Sequence, residues 1–131
     1  MNLLFDAHCF DYNTSEGVNS YIRGLYSKLI LIAKDIHFFI VAANIDKVKA
    51  VFGEHENVTY ISLTYKNKIY RLLVEIPNII RKNKIDVAHF QYISPMIKNC
   101  RTIVTLHDIL YKDFPSMFPL GYKLGKEALF K

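Results

Sequence analysis

A chain of 131 residues can bury one sizeable core but is too short for two ordinary domains. Hydrophobic residues make up 51% and charged residues 22%, which excludes a disordered segment, and no repeat, low-complexity tract or linker interrupts the pattern. Seventeen Lys and Arg against twelve Asp and Glu leave a net charge of +5, which favours an anionic partner (nucleic acid, a phosphorylated ligand or an acidic membrane surface) without choosing among them.

The chain opens on "NLLFDA". Leu3 to Ala7 form a short apolar run with Asp6 near its end, the mark of a buried strand. After a polar loop, "SYIRGLYSKLILIAKD" repeats Tyr21, Ile22, Leu25, Leu29, Ile32 and Ala33 at the spacing of one helix face. Ser15 suits its N-cap and Glu16 its positive end. "HFFIVAA" predicts a second strand, and "DKVKAVFGEHE" a short helix stopped near Gly53. "VTYISL", rich in β-branched and aromatic residues, predicts a third strand.

"YKNKIYRLLVEIPNIIRKNKID" carries Ile69, Leu72, Leu73, Ile76, Ile79 and Ile80 at helical spacing, with Lys66, Lys68, Arg71, Glu75 and Arg81 mainly outside that stripe. Pro77 lacks the N–H for an i−4 bond, so it must kink this helix or open a second segment at its first turn. The basic residues read as a solvated face, with contact to anionic lipid as the functional counterpart. "DVAHFQ" and "TIVTLH" are strands four and five, separated by an irregular loop, "YISPMIKNCR". "DILYKDFPSMFP" reads as loop, with Pro115 and Pro119 as breakers, and "LGYKLGKEALFK" as the opening of a helix.

Strands alternating with helices imply an α/β fold, Rossmann-like and doubly wound on a mostly parallel sheet. Ligands in such folds sit beyond the carboxyl ends of the strands. The segments to watch are therefore His8 to Gly17, His89 to Pro95 and His107 to Pro119. "TLHD" puts His107 and Asp108 directly after a strand, either as an electrophilic pair with the carboxylate orienting the ring or as a loop anchor. His89 either lines the same cleft or bonds backbone beneath it, and His8 is equally open. His37 and His55 fall at element edges away from the cleft. No two histidines have ligand spacing on a helix, so no metal site is expected.

Gly17 follows the first strand alone, fitting neither a dinucleotide fingerprint nor a P-loop. Backbone N–H groups at a helix N-terminus can still hold phosphate, although Glu16 would oppose an anion and a plain turn is the other reading. Cys9 and Cys100 form no paired motif and suit a reducing cytoplasm as core residues. "MNLLFDAHCF" has no basic n-region, and "LILIA" and "FFIVAA" are far too short to span a membrane, so a soluble or at most peripheral protein is expected. A small basic α/β module for nucleotide or RNA is the alternative class. It lacks an RNP-type aromatic motif, a GXXG loop and a helix-turn-helix signature, so no nucleic-acid partner is expected.

Taken in order, "NLLFDA", "GVNSYIRGL", "YRLLVEIPNIIRKNKIDVAHFQYISP" and "TIVTLHDILYKDFPSMFP" resemble the N-terminal domain of a family 4 GT-B glycosyltransferase. The resemblance runs over the whole chain, residues 1–131. It implies a retaining, nucleotide-sugar-dependent hexosyltransferase of glycan or surface polysaccharide synthesis, needing no cofactor or metal and working at the inner face of the membrane. By the same match His107 would touch the transferred sugar and Asp108 support it. Glu16, Gly17, Val18 and Asn19 would form the loop meeting the donor's phosphates, and His8, His89, Tyr92 and Ser94 would shape the acceptor site for a glycan or lipid-linked acceptor.

The pattern departs from the family at Asn19 and Glu16, where members often carry glycine, and at His8, where a basic residue is common. The family's second domain, with its Glu-x7-Glu donor segment, has no counterpart here. The expectation is thus an acceptor-side domain, incomplete at its C-terminus and inactive alone. A separate C-terminal half or a second copy would cover Leu120, Tyr122, Leu124, Leu129 and Phe130; a truncated remnant is the alternative.

Overall fold

The apolar runs pair with one another, as short segments without polar alternation must if they are to be buried on both faces. The computed structural model describes residues 1–12, 16–97, 99–107 and 116. Its strands are β1 (Asn2–Asp6), β2 (His37–Ala42), β3 (Val58–Ser62), β4 (Val87–Gln91) and β5 (Arg101–Thr105). They form one sheet in the order β3-β2-β1-β4-β5, and every pairing is parallel. The chain builds outward from β1 to β3, then crosses back to lay β4 on the other side of β1. The crevice between β1 and β4 is therefore the switch point at which doubly wound folds bind ligands.

Alternation along the strands sends side chains to two cores. Phe5, Phe38, Ile40 and Ala42 face α1 (Glu16–Ile32) and α2 (Ile45–Phe52), packing with Ile22, Tyr26, Ile30, Val48 and Phe52. Leu4, Phe39, Val41, Ala88 and Phe90 face the other way, onto Ile76 and Ile80. Because Ala88 and Phe90 point to that second core, His89 and Gln91 must point towards α1. Asp11 ties the turn after β1 to the loop after β2 by accepting from Ala43 N at 2.9 Å and Asn44 N at 2.7 Å. Asn44 in turn caps α2 through Lys47 N, and Gly53 ends that helix with φ at 75°.

The third helical segment is where the expected pattern fails. It comprises α3 (Lys68–Tyr70), a π-helical turn over Arg71–Glu75, and α4 (Ile76–Lys82) with Pro77 in its first turn. Pro77 thus opens a second segment. It cannot donate to Leu73, and Ile76 N–H instead reaches back five residues to Arg71 C=O. The extra residue rotates everything upstream by roughly 100° relative to α4. Ile69, expected in the apolar stripe, is consequently 66% exposed and Leu73 is exposed too, whereas Arg71 and Glu75 are buried. Glu75 is repaid for its burial: its carboxylate accepts from Thr64 N at 2.6 Å, Thr64 Oγ1 at 2.7 Å and Tyr65 N at 3.3 Å.

Two further differences concern α1 and its approach. The helix begins at Glu16, as the residue pattern there suggested, so Glu16, Gly17, Val18 and Asn19 are its first turn and not the loop that the resemblance implied. His8–Asp11, expected as loop, forms a 3-10 turn. Ser15, Pro115, Pro119 and the proposed C-terminal helix lie outside the described residues.

Removing the Glu75 carboxylate strands two backbone donors. Glu75→Ala is expected to lower the unfolding free energy by about 2–3 kcal/mol, and Glu75→Gln, which keeps one acceptor oxygen, by less. Urea denaturation of both variants measures the difference.

Candidate functional site

A run of polar side chains crosses the α1 face of the sheet, where alternation puts His89 and Gln91 among apolar neighbours. His89 is 4% exposed. Its Nδ1 lies 2.6 Å from Tyr26 Oη on α1, and its Nε2 lies 2.7 Å from Thr105 Oγ1 at the end of β5. Tyr26 is itself clamped, its ring stacked on Phe5 of β1 at 3.6 Å between centroids. The neutral imidazole carries one proton, so one hydroxyl donates to the ring and the other accepts from it. Burial, with the nearby charge of His107 second, holds the His89 pKa below the ordinary 6.5. Burial also raises that of the Tyr26 hydroxyl.

Gln91 continues the run towards the strand ends. Its amide nitrogen lies 3.5 Å from His89 Nε2, and its Oε1 accepts from His107 Nε2 at 2.6 Å. His107 is also flanked by the rings of Tyr21 and Tyr92, with centroids at 5.0 and 5.5 Å. The imidazole just past β5 is thus held by α1, by the end of β4 and by an amide whose own position depends on buried His89.

A cleft of about 250 Å³ opens above these groups, at the β1/β4 switch point. Asp6, His8 and Cys9 line it from the end of β1, Val18 from the first turn of α1, and Gln91, Tyr92 and Ile93 from the end of β4. Lys68 and Arg71 close the remaining side. Asp6 Oδ1 accepts from the His8 backbone N–H at 3.0 Å. Its Oδ2 is 2.8 Å from His8 Nδ1, an ion-pair distance without hydrogen-bond alignment, so this contact is attractive when the ring is protonated. The Cys9 thiol is inert, pushed up to about 12 by burial and then by the Asp6 charge.

Tyr92 is the strained residue of the site. Its φ is +64°, rare for a bulky side chain. Ile93 N–H bonds Gln91 C=O across it at 2.7 Å, closing a three-residue turn, while Tyr92 N–H bonds Thr105 C=O at 3.0 Å. Strain of this kind is retained where the surroundings over-determine it, and here it turns the chain aside at the cleft floor.

Several expected residues therefore meet. His8, Tyr92 and Val18 line the cleft, and His107 touches two of its neighbours, Gln91 and Tyr92. His89 lies beneath it, bonding side chains and not backbone. Half-buried Ser94 is not among the lining residues. Gly17 is exposed, and a Cβ there would meet nothing within 4 Å. Helical Asn19 needs no left-handed backbone, and its buried Oδ1 accepts no hydrogen bond among the described residues. Asp108 lies outside the described residues. Gln91 was missed although it shares the parity of His89 in "AHFQ", a signal that was available. Arg71 was missed because the π turn that buries it has no simple sequence mark.

A wider hollow of about 650 Å³ lies at the opposite, amino ends of the strands, bordered by His37, His55 and charges of both signs from Lys34, Asp35, Glu54 and Glu56. His37 bonds Thr59 Oγ1 and His55 bonds Phe52 C=O, so both rings anchor local structure. Among the described residues no His, Cys, Asp and Glu group could hold a metal, and no helix is long and apolar enough to cross a membrane.

No family model and no curated protein sequence matches the chain. Among solved structures, a glycosyltransferase from Rickettsia africae ESF-5 superimposes with a TM-score of 0.60 over 94% of this chain. The fold is glycosyltransferase-like. Identity over the superposition is 18%, and the chain spans 32% of that glycosyltransferase's length. What the glycosyltransferase-like fold contributes is its geometry: a parallel sheet whose carboxyl ends converge on one cleft.

His89 supplies a pH test of the buried run. Its folded pKa is below 6.5, so between that value and 6.5 the unfolded chain binds a proton that the folded chain does not. This contribution to stability is complete above about pH 6.5 and is lost as the pH falls through that window. Urea midpoints at pH 7.5 and 5.5 are expected to fall for the wild type and to fall less for His89→Gln.

Proposed function

We propose that this chain is the acceptor-binding part of a nucleotide-sugar-dependent glycosyltransferase. The observation that carries the reading is the cleft at the β1/β4 switch point, lined by Val18 of the first turn of α1 and by Gln91 and Tyr92, which in turn contact the His107 ring, in a glycosyltransferase-like fold. His8, Gln91 and Tyr92 hold the acceptor. His107, its Nε2–H engaged by Gln91, orients the donor sugar. The backbone N–H groups of Glu16 to Asn19, at the positive end of a long helix, meet the donor's phosphates.

The stereochemistry we propose is retaining, the acceptor a glycan or lipid-linked glycan, and the product a surface polysaccharide or related glycan. Because the chain spans 32% of the length of the similar glycosyltransferase, the donor site belongs, in this reading, to further polypeptide. Charge on the departing phosphate is then stabilised jointly, by the α1 amides on one side and by that polypeptide on the other.

Amide NMR of the chain titrated with glycan and soluble lipid-linked acceptors tests acceptor binding. Shifts are expected at His8, Gln91 and Tyr92, and Tyr92→Ala is expected to weaken binding about tenfold, equivalent to ~1.4 kcal/mol. Shifts confined to the amino ends of the strands, or tight salt-sensitive RNA binding, would overturn the reading. In the assembled transferase, Gly17→Leu is expected to leave the melting temperature near wild type, since the position opens on empty space. It should nevertheless cut kcat/KM for the donor at least about tenfold, and retained activity would remove the phosphate role of this turn.

A further inference from the structure

Arg71 is a buried side chain of the cleft wall with a guanidinium nitrogen that no described residue satisfies. It is 7% exposed, and its Nε is buried without a hydrogen-bond partner. The ion pairs among the described residues are His8 with Asp6 and Lys49 with Glu54; neither includes Arg71. A guanidinium cannot shed its proton, so it cannot escape the cost of burial as a lysine or histidine does. A buried polar nitrogen without a hydrogen-bond partner is a cost that a ligand can relieve.

The nearby carboxylates are otherwise engaged. Glu75, four residues on, spends its oxygens on Thr64 and Tyr65. Asp6, which also lines the cleft, accepts the His8 backbone N–H on one oxygen, and its other oxygen lies 2.8 Å from His8 Nδ1. Lys68 borders the same cleft from the preceding turn and adds positive charge to this wall.

We propose that Arg71, with Lys68 beside it, recognises a phosphoryl group carried by the acceptor. This rests on the acceptor-binding reading above and names the substrate class within it: a phosphorylated sugar or lipid phosphate. The planar fork of a guanidinium matches two phosphate oxygens at once, and an ammonium adds a point charge. The cleft, at about 250 Å³, is smaller than the roughly 300–1,000 Å³ of sites that enclose drug-sized ligands, so it takes the phosphoryl end of a molecule and not a whole nucleotide sugar. Apolar Leu72 and Ile93 line it beside the cations and offer a surface to whatever the phosphate carries.

The test uses the 131-residue chain with three probes: inorganic phosphate, a hexose 1-phosphate and UDP. Calorimetry and thermal melting are expected to show that phosphate and the hexose phosphate compete for one site and raise the melting temperature. UDP is expected to bind no more tightly than phosphate. Arg71→Gln should weaken phosphate binding at least tenfold, with Arg71→Lys intermediate. Arg71→Met, which removes the buried unsatisfied nitrogen, should be at least as stable as the wild type in phosphate-free buffer. Unchanged binding in Arg71→Gln, no phosphate effect on the wild type, or destabilisation by Arg71→Met would each overturn the proposal. UDP binding far more tightly through Arg71 would assign the site to the donor and overturn it as well. Unphosphorylated glycans shifting His8, Gln91 and Tyr92 without Arg71 would sink this inference and leave the acceptor reading intact. Arg71-dependent phosphate binding by a chain that binds no sugar would do the reverse.

Discussion

His89 sits where a parallel sheet ordinarily buries an aliphatic residue, and the arrangement of the cleft follows from how that imidazole is satisfied. A buried ring with two nitrogens needs two partners, and they come from different elements: Tyr26 from α1 and Thr105 from β5. Meeting both fixes the height of α1 on the sheet and the register in which β5 ends. Phe5 stacked on Tyr26 carries the same constraint to β1. Gln91, two residues along β4, inherits its orientation and holds His107. The imidazole beside the cleft is therefore positioned by a chain of contacts that begins in the core.

A second constraint acts from the other side of the crevice. Proline in a helix normally costs about 3 kcal/mol or more, through a lost hydrogen bond and a ring clash. Here the helix accommodates Pro77 by widening one turn, and the wider turn swings Arg71 and Glu75 inward. Glu75 recovers its desolvation through three hydrogen bonds to Thr64 and Tyr65. Arg71 Nε finds no such partner among the described residues, at the wall of a cleft whose floor is a strained turn at Tyr92. Strain and an unsatisfied buried nitrogen are both costs that a purely structural cleft would not carry.

Much of the fold was legible because apolar runs and helical periodicity are local signals. "HFFIVAA" and "DVAHFQ" became the two most buried strands, and Gly53 ended α2 as its position suggested. The four-residue segment His8–Asp11 carried no such signal, and in its 3-10 turn Asp11 reaches the loop after β2. The stripe through Ile69 and Leu73 misled because periodicity assumes an unbroken 3.6-residue repeat, which the turn before Pro77 does not keep. The site was legible in part: strand-end logic picked out His8, Tyr92 and His107, but gave Arg71 to solvent and passed over Gln91 and Tyr26.

By itself, the sequence determined the α/β class, the strands and the end of the sheet at which ligands gather, since each depends on neighbours a few positions apart. Only the tertiary structure decided which of those strand-end groups share a cleft and which support it from below. Whether His89 faces a ligand or the core depends on Tyr26 and Thr105, which lie 63 and 16 residues away. Burial of Arg71 was decided by one skipped hydrogen bond, a matter of helix phase that residue spacing does not record.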